Sequence, residues 1–517
     1  MLSIVKALMN AILAMAVHLR IYFKFLSIIP VEPAINTNQN KVLIPLIYWG
    51  TTKAVWFQIL MSLKFMKLGH DVVFVYDDRP PTGTRLLPFL LMRIAKVFIY
   101  RIKHERKLDF IDLTKLRTLA VTKNGKANAA SAAYFNAQWE QKKSIDIEHT
   151  EEYSHTINEY EDIVGKIQNV FSKHKIDLCF CPGGLYGSSF IWRKMCEEND
   201  VRFSSFESDQ ITIISPNGAA SHRGDVVAKF QNYHSLESSE KLSLFKIAEK
   251  IVYNDIYKRS ILKTPNIEIA SILKKTNIDI ARLQTEYKSF ELEIDEFKKN
   301  FWASRDLSNP IESPAIFLNI SWDSAALDLR PIQLSHTQWF IGLLNELAAH
   351  GARNIVVRQH PDERFYPSQD EYEQIINKVL KDYEGIKIEF YRASDEINSY
   401  ELIKKSTSVF TFASTIGLEA AILKRPVFCA KDNYQTRIKA LPRYRAGETV
   451  KNLKQEVQIS DDMYSNAVVC YYLGQISAYF KFDISEIDHF FNDKDINLKL
   501  DMVSEQLIEN NWSLIDV

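Results

Sequence analysis

This chain of 517 residues has little of what staples, punctuates or polarises a protein. Its five cysteines, Cys179, Cys181, Cys196, Cys429 and Cys470, are odd in number and show no metal-ligand grouping, which argues against a disulfide framework and fits a reducing compartment. Cys179-Phe180-Cys181 alternates along an expected strand, so both thiols face one side as small buried hydrophobes. Glycine and proline number only 16 each and hydrophobic residues reach 46%, a globular composition and not a disordered one. Lys+Arg and Asp+Glu balance at 64 each, leaving no global field for nucleic acid, so any anion site has to be local. No stretch reaches the roughly 20 apolar residues that a spanning helix needs. Leu8 to Val17 is interrupted by Asn10 and closed by His18, and residues 1–35 read as an amphipathic helix that packs on the protein or lies at a membrane surface, with a cleaved or spanning segment as the alternative. Metal motifs are lacking too: Asp493-Lys494-Asp495 lies in a polar tail and Asp77-Asp78 is adjacent, not spaced. No metal and no cofactor are expected.

What is present divides into two or three domains on length alone. Residues 36–235 read as a first Rossmann-like α/β domain. Lys41 to Tyr48 is a strand, the following helix is stopped by Gly69, and Asp71 to Tyr76 is a second strand. This βαβ opening favours a parallel sheet with ligands at the carboxyl ends of its strands. Leu86 to Lys107 interleaves Arg93, Lys96, Arg101 and Lys103 with aliphatic and aromatic residues. It is either a core helix with a solvated basic stripe or a helix resting on anionic lipid. Ile176 to Cys181 runs into Pro182-Gly183-Gly184, whose glycines let backbone approach a ligand. Strand Val201 to Phe206 leads to Glu207, Asp209 and a small-residue loop, Ser215 to Asp225, that holds His222. Residues 236–311 read as a helical linker region, and 461–517 as C-terminal helices.

Residues 312–460 alternate strand and helix in the rhythm of a doubly wound parallel sheet. Three loops at its carboxyl edge carry the informative residues: Asn319 to Ser324 with Asp323, Arg358 to Glu363 with His360, and Ala413 to Gly417 with Ser414 and Thr415. The third opens a strand, turn, helix and strand over Ser408 to Ala430. Ser414 or Thr415 caps that helix, and Gly417 either keeps the turn open or packs closely on the sheet. Glu419 shares a helix face with Thr415, where it either complements the dipole or receives the hydroxyls of a ligand.

Two Rossmann-like domains facing across a cleft hold an activated donor on one side and an acceptor on the other. Arg358 and His360, with the Ser414-Thr415 turn, suit the leaving phosphate, and Glu419 suits the ribose. The base for the acceptor hydroxyl falls to Asp209, Glu207 or His222 of the first domain. The plainer alternative makes Arg358-x-His360-Pro361 a surface ion pair with Asp362 or Glu363 in a proline-stiffened turn.

RQHPDE at Arg358 to Glu363, ISWDSA at Ile320 to Ala325 and TFASTIGLEAAILKRPV at Thr411 to Val427 resemble the bacterial capsule polysaccharide biosynthesis glycosyltransferases, which include transferases of Kdo type. The resemblance covers residues 312–430, with GAASHRGD at Gly218 to Asp225 as a weaker echo. It implies a GT-B-like α/β fold with additional helices, His360, Ser414, Thr415 and Glu419 at nucleotide-binding positions, and Asp323 in an interdomain loop. The implied activity is metal-independent transfer of a sugar from a nucleotide-sugar donor to a capsule or lipopolysaccharide-type glycan, with a lipid-linked or oligosaccharide acceptor, at the inner face of the cytoplasmic membrane. Leu423-Lys424-Arg425-Pro426 lacks the glycine that the family places before Pro-Val, a departure of geometry at a helix end. Rival readings are a polyol-phosphate transferase of teichoic-acid type, a sugar-nucleotide 2-epimerase and a non-catalytic export or assembly factor. The epimerases usually show Gly-Gly after the serine, where this chain has Thr415-Ile416-Gly417.

Overall fold

The computed structural model describes residues 19–23, 39–47, 54–77, 86–105, 108–142, 151–208, 211–215, 222–261, 313–322, 335–365, 367–453, 458–476, 480–483 and 494–509. Asp209, Asp323, the Asp-x-Asp motif as a unit, most of the N-terminal stretch and residues 262–312 lie outside the described residues. No described helix is long and apolar enough to cross a membrane.

The chain forms two compact α/β units. One takes residues up to Ala137, Glu148–His222 and Tyr479–Val517; the other takes Gln138–Ile147 and Arg223–Ala478. This differs from the division drawn on composition: residues 138–147 and 223–235, read there as part of the first domain, belong to the second unit. The helical stretch after residue 236 joins the second unit as far as it is described, and the C-terminal region is split, its last part returning to the first unit.

In chain order the first unit runs β1 (Lys41–Leu46), α1 (Ala54–Lys67), β2 (Asp71–Tyr76), α2 (Leu86–Glu105), β3 (Asp109–Asp112), α3 (Lys123–Gln141, whose end passes into the second unit), α4 (Glu151–Lys173), β4 (Leu178–Pro182), α5 (Gly187–Glu198), β5 (Arg202–Ser208) and β6 (Ile211–Ser215). Its sheet has seven strands in the order Phe480–Asp483, β6, β5, β4, β1, β2, β3. The strands from β5 to β3 are parallel, and the β6 side is antiparallel. β1 and β2 are unbroken apolar runs because helices cover both faces of a parallel sheet. α1 is buried almost all round, and the C-terminal helix Lys494–Glu509 packs on it, where Asp501 pairs with Lys64 at 2.8 Å and Lys67 at 2.9 Å. α2 buries one face and leaves a basic stripe outside: Met92, Ala95, Phe98, Ile99 and Ile102 are buried, while Arg93, Val97, Tyr100, Arg101 and Lys103 are exposed. All five cysteines are free and buried, and burial pushes the Cys179 and Cys181 thiols up, so they act as small hydrophobes.

The second unit holds α6 (His222–Ser235, from Arg223 on), α7 (Ser238–Ile261), β7 (Ala315–Phe317), α8 (His336–Ala349), β8 (Asn354–Arg358), α9 (Tyr372–Asp382), β9 (Lys387–Tyr391), α10 (Ser399–Lys405), β10 (Val409–Thr411), α11 (Ile416–Ile422), β11 (Val427–Cys429) and α12 (Asp461–Tyr471). Its five strands are all parallel, in the order β11, β10, β7, β8, β9. Successive strands step outward from β7 to β9, and the chain then returns to the other side of β7 with β10. The direction of winding therefore reverses between β7 and β10, which is where an open α/β sheet leaves a crevice. The expected α/β class with two Rossmann-like sheets is what the chain forms.

Candidate active site

The register of the second sheet sets Thr411, Phe317 and Arg358 side by side on β10, β7 and β8, so three loops leave the carboxyl edge at one level. One hydrogen bond spans the point of reversal: the Ala413 N–H donates to Asn319 Oδ1 at 3.1 Å. The Asn319 N–H in turn donates to His336 Nε2 at 3.1 Å. His336 opens α8 directly after Ser335, whose hydroxyl closes a capping box with Gln338. Its ring is 2% exposed among Trp339, Tyr372 and Phe412, and burial takes its pKa down to about 3, so it is the neutral acceptor this bond needs.

The β8 loop is a short 3₁₀ turn, Pro361–Arg364, capped by His360, whose Nδ1 accepts from the Asp362 N–H at 3.3 Å. Asp362 Oδ2 also stands 3.9 Å from that nitrogen. Arg358 is turned inward from this edge. Its guanidinium is buried and donates to the backbone carbonyls of Arg392 and Asp395, so in this structure it fastens the loop after β9 where a phosphate contact had been expected. Beside it Glu363 is 2% exposed and accepts from Gln359 Nε2 at 2.6 Å. Burial raises its carboxyl to about 7 against those hydrogen bonds. Asp370 completes the group, bonded by the hydroxyls of Ser321 and, at 3.0 Å, Thr337.

The β10 turn departs from its expected capping. Thr415 is the N-cap of α11 but makes no side-chain cap bond, and Ser414 Oγ accepts from the Ile416 N–H at 3.4 Å. Gly417 does not hold the turn open; it lies within the helix, where an added Cβ would stand 2.9 Å from Thr411 Oγ1 and 3.0 Å from Leu441 Cδ1. Of its two readings the close-packing one describes the structure. Glu419 is likewise turned into the unit. It is buried, 3.4 Å from Arg259 Nη1 and from the Tyr471 hydroxyl, and accepts from Tyr400. Arg259 also pairs with Asp255 at 3.1 Å, and the Tyr471 hydroxyl donates to Asp255 at 2.6 Å. The carboxylate that was expected to meet ribose ties α11 to α7, α10 and α12.

Glu207 lies on β5 opposite Ile213, half-buried, and His222 opens α6. The glycine pair after β4 is positive in φ at both positions, Gly183 at 67° and Gly184 at 116°. There the Gly183 N–H reaches the Phe206 carbonyl, and the Gly184 N–H reaches Ser189 Oγ. Residue types alone placed Asn319 and Glu363 in the edge loops without a role, and missed His336, Asp370 and a cation between two rings. Lys142 has its ammonium 4.0 Å from the Trp139 ring and 3.7 Å from the Trp322 ring, and its carbonyl accepts from the Gln369 N–H at 2.8 Å. For Asn319 and His336 a signal was present, a polar residue ending a strand and a ring opening a helix. Nothing in the sequence marks Lys142.

With this edge defined, comparison with known proteins bears on its identity. Residues 333–434 match the family model described as capsule polysaccharide biosynthesis protein, a stretch that contains α8, β8, β10 and α11. Over that stretch the chain is similar to the capsule polysaccharide biosynthesis family. The resemblance read from RQHPDE and TFASTIGLEAAILKRPV thus holds over the capsule-family segment. No curated protein matches the chain. Among solved structures, the β-Kdo 2,7 transferase KpsC of Thermosulfurimonas dismutans is 16% identical, with a TM-score of 0.27, covering 65% of this chain and 89% of that one. The β-Kdo 2,4 transferase of the same organism's KpsC is 12% identical, with a TM-score of 0.29, over 57% and 79%. The UDP-GlcNAc 2-epimerase of Neisseria meningitidis, bound to UDP-GlcNAc, is 12% identical, with a TM-score of 0.21, over 84% and 99%. Overlaps this shallow assign neither activity nor ligand.

The buried carboxyl of Glu363 gives a first testable expectation. Its pKa is about 7 in the fold against 4.5 for an ordinary glutamate. A carboxyl raised on folding contributes stability that is fully present below about pH 4.5 and lost as pH rises through 7, by about 3 kcal/mol in all. Glu363→Gln keeps an acceptor for Gln359 and does not titrate. Urea denaturation followed across that window should show this component of the pH dependence gone in the variant; equal slopes for both proteins would refute the assignment.

Proposed function

We propose that this chain is a glycosyltransferase of capsule synthesis that moves a sugar from a nucleotide-activated donor to a surface-glycan acceptor without a metal. The observation that carries the reading is the position of the capsule-family segment. It supplies the loop after β10, which borders the reversal point between β7 and β10 of a parallel sheet, and the loop after β8 one strand further on, at the edge where such sheets receive nucleotides. His360 on the β8 loop and the Ser414-Thr415 backbone on the β10 loop meet the donor phosphates in this reading. Asn319, held by His336 and Ala413, ties the loop after β7 to the loop after β10 across the reversal point. Arg358 and Glu419 act from beneath, as positioning groups for the β9 loop and for α11. Asp209, Glu207 and His222 are the candidate bases for the acceptor hydroxyl, and Asp323 a candidate at the β7 loop. The acceptor is lipid-linked or an oligosaccharide, and the protein works peripherally at the inner face of the cytoplasmic membrane.

Purified chain incubated with a mixture of CMP-, UDP-, GDP- and CDP-linked donors, with and without capsule oligosaccharide, tests this. One nucleotide product should accumulate only when acceptor is present, and the matching donor should raise the melting temperature. Release of a polyol-phosphate donor's nucleotide, epimerised donor without release, or no stabilisation by any nucleotide would each overturn the reading.

A further inference from the structure

We infer that residues 19–23 and the outward face of α2 together form a docking surface for an anionic lipid bilayer. The inference gives the peripheral location above a definite surface and lipid chemistry, and it uses nothing from the nucleotide site.

Charge is the first observation. The chain balances 64 basic against 64 acidic residues, yet no Asp or Glu occurs before Glu32, and none occurs between Arg79 and His104. That second stretch holds six cations: Arg79, Arg85, Arg93, Lys96, Arg101 and Lys103. Two segments free of acid, separated by two strands and a helix in sequence, are brought together by the fold. Ile21 is 1% exposed in the same core cluster as Met92, Ala95, Phe98, Ile99 and Ile102, and the Tyr22 ring meets Phe98 edge-on at 5.5 Å.

What the two helical segments leave outside is the second observation. Leu19 and Phe23 are 42% and 64% exposed, one turn apart, with Arg20 between them in sequence and also exposed. On α2 the exposed positions Arg93, Val97, Tyr100 and Arg101 fall at i, i+4, i+7 and i+8, a single face, and Lys103 extends it. Val97 and Tyr100 are 60% and 45% exposed. Four of the twelve large hydrophobic side chains exposed among the described residues therefore sit on these two short segments, each next to a cation. An aqueous surface gains nothing from exposed Phe and Val, and a nucleic-acid groove would want cations without aliphatic neighbours. Aromatic and aliphatic side chains that enter the headgroup boundary, with Arg and Lys at the phosphates, suit an anionic bilayer.

Lys96 supplies an internal control. It is on the same helix but bonded inward, 2.8 Å from Asp112 and 4.4 Å from the centre of the Tyr76 ring. It belongs to the fold and not to the surface.

The full chain is floated with vesicles of phosphatidylcholine alone and of phosphatidylcholine mixed with phosphatidylglycerol, and nucleotide binding is titrated on the same preparation. The protein should float with the mixed vesicles, not with the neutral ones, and release at high salt. Arg93→Gln, Arg101→Gln and Lys103→Gln combined should lower partitioning by about a hundredfold, at about fivefold per basic side chain near an anionic surface. Phe23→Ser with Tyr100→Ser should lower it as well, and a circular dichroism melt of each variant checks that the loss of the ring contacts with Tyr22 and Phe110 leaves the protein folded at the flotation temperature. Lys96→Gln should float like the parent. Absence of flotation with anionic vesicles, equal flotation with neutral ones, or a triple variant that floats like the parent would overturn the inference. The nucleotide titration reports separately on the transferase reading.

Discussion

Glu419→Ala should lower stability by about 3–5 kcal/mol, the range for removing one partner of a buried ion pair. The carboxylate is 3% exposed and carries out three tasks at once: it meets the Arg259 guanidinium, accepts from Tyr400 and lies within reach of the Tyr471 hydroxyl. Burial pushes its carboxyl above the ordinary range, and Arg259 pulls it back. Alanine leaves the arginine charge half-buried against Asp255 alone and removes the acceptor of Tyr400, so desolvation is no longer offset. The damage should come from the stranded charge more than from a lost attraction. Arg259→Met combined with Glu419→Leu should therefore recover most of the loss, since it removes both charges and keeps volume. Urea titration of the four proteins in a double-mutant cycle measures this. A single Glu419→Ala variant within about 1 kcal/mol of the parent would sink it, because surface pairs are worth no more than that. If Glu419 instead met ribose, Glu419→Gln would lose donor affinity while stability stayed at the parental value, which is the opposite pattern.

That contrast shows where the sequence is legible. The alternation of apolar strands and capped helices over residues 312–460 gives the second unit's order correctly, because each parallel strand is buried on both faces and each crossover returns to the same edge. The three edge loops follow from the same periodicity. The direction of the side chains does not follow. Thr415 and Glu419 share a helix face in sequence, but α11 is only seven residues long and lies against α12 and α7, whose contact with it no local pattern encodes. Glu419 was read as facing a ligand because its partner, Arg259, is 160 residues away. The contacts of Arg358 were illegible for a related reason, since its acceptors are the backbone carbonyls of Arg392 and Asp395, and carbonyls leave no mark in a sequence. In the first unit the basic stripe of α2 was legible, and so was its burial. Its juxtaposition with residues 19–23 was not, because that depends on which helix neighbours which across the sheet.

The same point applies to the least conspicuous residue of the edge, His336, whose replacement carries the second large effect. A histidine at the start of a helix is ordinary, and only the fold shows that its Nε2 accepts the Asn319 N–H while its ring is enclosed by Trp339, Tyr372 and Phe412. Burial, with Lys431 nearby, holds its pKa at about 3 against 6.5 for an ordinary histidine. Between those values the unfolded chain binds a proton that the folded chain refuses, so stability rises with pH and is lost as pH falls below about 6.5. The full loss by pH 3 amounts to about 5 kcal/mol. This slope runs opposite to that of Glu363, whose contribution falls between about pH 4.5 and 7, so the two partly cancel where their windows overlap and only single variants separate them. His336→Gln keeps an acceptor for Asn319 and abolishes the titration; its urea midpoint should decline less than the parent's between pH 6 and pH 4. His336→Phe leaves the Asn319 N–H without an acceptor and should be weaker by about 1–3 kcal/mol at every pH. A His336→Gln variant with the parent's acid slope would show that the ring already carries its proton in the fold. The bond chain from His336 through Asn319 to Ala413 would then need an acceptor other than a neutral imidazole, and the link between the loops after β7 and β10 would lose its physical basis.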